Sequence, residues 1–227
     1  MNSDFHCTKC GRCCLDREDI LLTARDIYRI SGYLNMKPLA FFRTYCESYI
    51  GESSRIPVVR LKPQGNAKRC IFLKSKKCEI HAAKPSVCAL FPLGRFMKID
   101  SDTFREGSIG DATVQYFLQD DVKCGNQSET HTVRDWLAGF DIPTEDAAFI
   151  GWNIALAKVL PRVQANEPKL GPLSQHLLWD SLLVGLYLNY ETNKEYLPQL
   201  EANVQSISDL LDKLEAAIKE AGRGKEG

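Results

Sequence analysis

The stretch that most constrains this chain is Cys7-Thr8-Lys9-Cys10-Gly11-Arg12-Cys13-Cys14, four thiols within eight residues at the start of the sequence. A hydrophobic core needs no such run, and a single disulfide does not use it. Thiolates this dense are gathered by a soft metal or an iron–sulfur cluster. Cys7, Cys10 and Cys13 repeat the C-x-x-C spacing, in which two sulfurs reach one metal while the amides of the turn point at them. Gly11 supplies a backbone free to take positive φ where the loop tightens. Neighbouring side chains converge on one atom only with strain, so Cys13 and Cys14 are expected to serve different metals or different corners of one site.

The chain holds nine cysteines, an odd number that excludes full pairing within one chain. Met1 to His6 is polar and does not read as a secretory leader, and no apolar run reaches the ~20 residues of a membrane span. The expectation is a cytoplasmic protein, where a reducing environment disfavours disulfides and metal or redox chemistry accounts for clustered thiols. Formal net charge is zero, which argues against a broad footprint for nucleic acid or an anionic membrane.

The remaining thiols fall beside turns and element ends. Asp19–Leu22 reads as a short strand, and Thr23 as the N-cap of a helix carrying Ile27, Ile30 and Leu34, with Asp26 in its first turn. Pro38 opens a second helix expected to carry Leu39, Phe42, Tyr45, Cys46 and Tyr49. Ile56–Leu61 reads as a strand. Cys70–Leu73 and Cys78–His81 read as two arms of a hairpin turning over Leu73–Lys77, and Pro85 begins a short helix holding Val87, Cys88 and Leu90. Arg95–Ile99 and Thr113–Leu118 form a strand pair across a polar loop with Gly107 and Gly110. After Cys124-Gly125 the chain is expected to be helical: from Thr132 through Leu137, from Thr144-Glu145-Asp146 to a stop at Pro161, and from Leu173 to Tyr190. Leu197, Leu200, Val204, Ile207, Leu211, Leu214 and Ile218 then form an apolar stripe over three heptads. That stripe fits a helix lying on its own domain, or an oligomer or partner seam over 197–218.

Cys70, Cys78, Cys88 and Cys124 join Cys7, Cys10, Cys13 and Cys14 as eight metal-ligand candidates. Eight thiols make two closed tetrahedral sites, two four-iron clusters, or one cluster with further redox thiols. Cys46, on an amphipathic helix, is expected to be a small core hydrophobe. Lys9, Arg12 and Arg17 flank the first group, and Lys68, Arg69, Lys74, Lys76 and Lys77 flank the hairpin, as bound anionic sulfur favours. The histidines are weaker candidates: His6 abuts Cys7, while His81, His131 and His176 have no ligand-like spacing to one another. No phosphate-binding glycine loop, G-x-S-x-G or H-E-x-x-H motif is present.

Cys7-x-x-Cys10-Gly11-x-Cys13-Cys14, Cys70-Ile71-Phe72-Leu73, Cys78-x-Ile80, Pro85-x-x-Cys88 and Phe91-Pro92 together resemble the YkgJ-type cysteine-cluster (CxxCxxCC) proteins. Asp26-Ile27, Arg29-Ile30, Phe41, Tyr45, Cys124, Thr132-Val133 and Trp136 extend the likeness over roughly residues 5–137. His81, Lys84 and Ala89 stand where the family often has tyrosine, arginine and arginine, and Gly125 stands where a proline often follows the last cysteine. The resemblance implies zinc or iron chelation, often described as iron–sulfur oxidoreductase chemistry. A similar domain occurs in flagellin lysine methylases, which adds a protein-modifying enzyme as a third reading.

The expected fold is α+β and helix-dominated: a cysteine-rich module with short strands, packed against N- and C-terminal helices. Residues 1–140 are read as the metal-binding domain, 141–221 as a helical region on the same core or beside it, and 222–227 as a disordered tail. The favoured cofactor is an iron–sulfur cluster of the 4Fe-4S type, with a redox or protein partner. The alternative is structural zinc, with the helical tail binding a partner. No pattern selects a catalytic nucleophile among the nine thiols.

Overall fold

The computed structural model describes residues 2–8, 10–99, 112–119 and 125–223. Helices dominate an α+β fold whose strands are short. No helix among the described residues is long and apolar enough to cross a membrane. The polar loop with Gly107 and Gly110, Cys124, and residues 224–227 lie outside the described residues.

The first element among the described residues is a strand, β1 (Asn2–His6), paired antiparallel with β11 (Asn126–Thr132). This pair corrects the expectation that the chain becomes helical straight after Gly125. Its second strand, Asn-Gln-Ser-Glu-Thr-His-Thr, has no apolar alternation and is largely exposed, so the period-two signal that marks a half-buried strand is missing. The pair is locked at Gly125, which has φ 77°. A Cβ there would stand 2.3 Å from the Phe5 ring and 2.7 Å from the His6 carbonyl oxygen. Gly125→Ala is therefore expected to cost more than about 1 kcal/mol and to speed amide exchange across Asn2–His6. Unchanged exchange there would contradict this packing.

Helix α1 (Ala24–Tyr33) starts as the sequence predicts. The Thr23 hydroxyl accepts the Asp26 amide at 3.2 Å and the Asp26 carboxylate accepts the Thr23 amide at 2.9 Å, a closed capping box. Ala24, Ile27 and Ile30 are buried on one face. Helix α2 (Pro38–Tyr45) opens on its proline but ends sooner than expected. Residues Cys46–Ile50 form β3, the edge of a three-stranded antiparallel sheet ordered β2 (Leu21–Leu22), β4 (Pro57–Leu61), β3. Pairing with β4 in the register Cys46↔Leu61 to Ile50↔Pro57 outweighs the helical spacing that suggested continuation. Phe41 fills the core instead of Leu39, which is exposed.

Two small ladders follow: β5 (Pro63–Gln64) with β6 (Arg69–Cys70), and β7 (Leu73–Lys74) with β8 (Lys77–Cys78). The hairpin is thus tighter than expected. Cys78 lies opposite Leu73, and Cys70 belongs to the preceding ladder. Ser75 and Lys76, both at positive φ, make its two-residue turn. Helix α3 (Ser86–Leu90) comes next, then the antiparallel pair β9 (Leu93–Ile99) and β10 (Ala112–Leu118), and α4 (Val133–Ala138), capped by Thr132 as predicted.

The C-terminal part is three helices. Asp146 caps α5 (Ala147–Asn166), accepting the amides of Ala148 and Phe149. Pro161 does not stop this helix, contrary to expectation. Its missing amide bond costs ~3 kcal/mol in isolation, but buried Val159 and Val163 and the pairing of Arg162 with Asp212 and Glu215 hold both sides of the proline against α7 (Tyr196–Arg223). Between them, α6 (Pro172–Leu183) runs on into a wider π-helical turn over Val184–Leu188. The α7 stripe is buried on its own chain at Leu200, Val204, Ile207 and Leu211. One apolar cluster joins Ile20, Ile27 and Phe41 of the N-terminal half to Val159, Leu182 and Leu211 of the C-terminal helices, so both halves share a core beneath the cysteines. The buried Glu167 carboxylate accepts Arg55 Nη2 at 2.7 Å and Nε at 3.0 Å, fastening the β3–β4 turn to the end of α5.

Candidate metal centre

Each cysteine reaches the site by a separate local device. Cys7 leaves the end of β1. Gly11, at φ 74°, turns the loop into a single helical turn over Arg12–Cys14, with the Cys14 amide donating to the Gly11 carbonyl at 3.1 Å. A Cβ on Gly11 would stand 3.2 Å from Leu73 Cδ1 and 3.4 Å from the Lys76 carbonyl oxygen, so this loop rests on the β7–β8 hairpin. Past Cys14, the amides of Asp16 and Arg17 donate to the carbonyls of Ala67 and Lys68 at 3.1 and 3.0 Å. That ties the first cysteine group to the segment leading into Cys70. Cys78 ends β8, and Cys88 lies in α3.

These devices converge. Cys7, Cys13, Cys14, Cys70, Cys78 and Cys88 line one cavity of about 380 Å³, with Gly11, Arg17, Lys76, Lys77, His81 and Lys84 also in its wall. The Cys13 and Cys14 sulfurs are 4.0 Å apart. Six sulfur donors with cationic neighbours fit a soft metal or a thiolate-bound cluster. Among the described residues, no group of three or more His, Cys, Asp or Glu side chains stands close enough together to hold a metal ion as placed.

The thiols act on one another. Cys13 is pushed far up by its neighbour Cys14, then by burial. Cys14 stands at about 11: the Cys13 thiol pulls it down, while Cys70, burial and the charge of Cys78 push it up further. Cys70 is lowered, first by the Cys14 thiol, against its own burial. Burial raises Cys78, and it pushes Cys88 to about 12. Two cations oppose these rises. Arg17 and Lys84 both favour the thiolates of Cys13 and Cys88, and Lys84 also favours that of Cys78. Arg17 is held by Asp19 and by the Cys13 carbonyl, and Lys84 sits 4.0 Å over the Phe140 ring. Lys84 stood out in the sequence only as a family departure; its place immediately before Pro85 and four residues before Cys88 was the available signal.

The other candidates lie elsewhere. Cys10 is exposed and outside the cavity wall, with a thiol lowered first by the Arg12 backbone. Cys124 lies outside the described residues, although its neighbour Gly125 packs on Phe5 and His6 just before Cys7. His6 Nδ1 and His131 Nε2 both meet the Glu129 carboxylate, at 2.8 and 3.1 Å, and His176 Nδ1 meets the Pro172 carbonyl at an exposed position on α6. His81 lies in the cavity wall.

Cys46, the first residue of β3, is 2% exposed, and burial pushes its thiol to about 12. Cys46→Ser is expected to keep the full metal complement while losing about 1–3 kcal/mol of stability, because it buries a hydroxyl. Metal loss in that variant, read by elemental analysis, would place Cys46 among the ligands.

Among known proteins, the family model CxxCxxCC, described as a "putative zinc- or iron-chelating domain", matches residues 6–126. An uncharacterized protein of Methanocaldococcus jannaschii, MJ0661, is 37% identical over 93 residues, 39% of this chain and 44% of that protein. The match therefore spans less than half of the relative's length. No solved structure matches the chain. A match over more than half the sequence, spanning the cysteines that line the cavity, makes this chain a member of the CxxCxxCC family.

Proposed function

We propose that the cavity holds an iron–sulfur cluster, with ligands drawn from Cys7, Cys13, Cys14, Cys70, Cys78 and Cys88, and with Cys124 as a further candidate. The observation that carries this reading is six thiols lining one cavity of about 380 Å³. That is far more than the ~10–15 Å³ on the same measure that admits a single water. A lone zinc sits directly against its sulfurs at ~2.3 Å and needs no interior of its own. A cluster brings its own sulfide and iron and does fill one. Such a group supplies one-electron transfer at a potential set by charge, hydrogen bonds and exposure. In this chain, Arg17 and Lys84 supply opposing charge, and the shared core beneath keeps water from the deep side. The exposed Lys76 and Lys77 mark the side where a redox partner would approach.

The two-residue ladders β5–β6 and β7–β8 favour a second reading. Segments this short hold few contacts of their own, so a structural zinc would stabilise them. Anaerobic purification followed by iron, zinc and acid-labile sulfide analysis of one sample separates the two. Iron with matching sulfide and a visible spectrum that bleaches on reduction is the expected result. Zinc without sulfide, in colourless protein, would replace the cluster by the clamp.

A further inference from the structure

We propose that Asp26 is the positioning residue that sets Cys88 against the metal. The inference rests on the reading of Cys88 as a ligand. Helix α3 is five residues long, and its N-cap residue, Pro85, makes no side-chain cap. A helix this short does not hold its shape alone, and its first amides need acceptors. The acceptor comes from another helix. Asp26 Oδ1 receives both the Ser86 amide and the Ser86 hydroxyl, each at 2.7 Å. Asp26 Oδ2 receives the Thr23 amide and hydroxyl, each at 2.9 Å. The residue is 1% exposed.

One carboxylate therefore closes the first turns of two helices at once. Its Thr23 half belongs to α1. Its Ser86 half lies two residues before Cys88, whose own amide donates to the Pro85 carbonyl at 2.9 Å. On the other side α3 is held by Ala89 and Leu90 in a separate apolar cluster with Leu137 and Ile142, and by Trp136 Nε1 donating to the Ala89 carbonyl. Those contacts hold the C-terminal half of α3, while Asp26 holds its N-terminal end, two residues before Cys88. Bonds from neutral donors to an ionised carboxylate are short and strong, which suits a residue that must hold a ligand still.

The test uses the symmetry of the two halves. Thr23→Ala and Ser86→Ala each remove one hydroxyl from the same carboxylate, and Asp26→Asn disturbs both sides. Metal release from the protein as purified is followed with pyridylazoresorcinol, alongside the visible spectrum and the melting temperature. Ser86→Ala and Asp26→Asn are expected to release metal about tenfold faster, the scale seen when the partners of metal ligands are removed. Thr23→Ala should release it at the wild-type rate despite a similar loss of melting temperature. Equal release from Thr23→Ala and Ser86→Ala would overturn the proposal and reduce Asp26 to a structural cap. That pairing keeps the test decisive even where Asp26→Asn fails to fold. Cys88→Ala is the reference: unchanged metal content there would remove Cys88 from the ligand set and the proposal with it, whereas metal loss there with none in Ser86→Ala would overturn the positioning role alone.

Discussion

Cys14→Ser protein is expected to lose most of its metal, with affinity at least about tenfold weaker than wild type, the lower bound set by disturbing even the partners of ligands. Cys14 is the hub of the thiol set: its sulfur is 4.0 Å from that of Cys13, it shifts Cys70 directly, and it bears on the charge of Cys88. A serine hydroxyl there is a hard donor that stays protonated near neutral pH, a poor exchange for thiolate toward zinc or iron. The loss should be cooperative with folding around the cavity, because metal-binding energy is also folding energy for the loops it joins. Cys10→Ser is the informative comparison. Cys10 is exposed and off the cavity wall, so its loss should cost less metal than that of Cys14. Elemental analysis of both variants decides the matter, and a Cys14→Ser protein with its full complement would break the assignment.

Asp146→Ala should cost about 3–5 kcal/mol of stability. Asp146 is 2% exposed at its side chain and meets Arg25 Nη1 at 2.5 Å and Arg95 Nη1 at 2.7 Å while it caps α5. Removing it leaves the Arg95 guanidinium, 7% exposed, without its carboxylate and beside a second cation, held by the Phe149 ring and Tyr116. In a protein of this size that corresponds to roughly 6–20 °C in melting temperature. The cap alone is worth ~1 kcal/mol, and asparagine caps about as well as aspartate. Asp146→Asn should therefore recover only that fraction. Full recovery in the asparagine variant would show that the cap matters and the paired arginines do not.

What could be read from the sequence divides along physical lines. Elements announced by local chemistry were legible: Thr23 and Thr132 as caps, Pro38 opening a helix, and the β9–β10 pair. The α7 stripe was legible because burial leaves a period, and the cysteines because few other functions gather thiols at such spacing. Elements decided by a distant partner were not. Cys46–Ile50 becomes a strand because β4 lies beside it, and Pro161 stays inside a helix because α7 holds both sides. The Ser75-Lys76 turn lacks the glycine or asparagine that flags a tight hairpin. For the site, the gathering of Cys7, Cys13, Cys14, Cys70, Cys78 and Cys88 was foreseeable as a set. The setting apart of Cys10 was not, since its spacing matches that of its neighbours.

The pairing of β1 with β11 also bears on how such a chain is made. Asn2 finds its partner at Thr132, so the strand that leads into Cys7 stays unpaired until more than a hundred further residues have been synthesised. At ~5–20 residues per second that interval is roughly 6–25 s. Throughout it Cys7, Cys10, Cys13 and Cys14 lie beside one another in a segment whose neighbouring strand has no partner, so the geometry of this first thiol group is completed only late in synthesis.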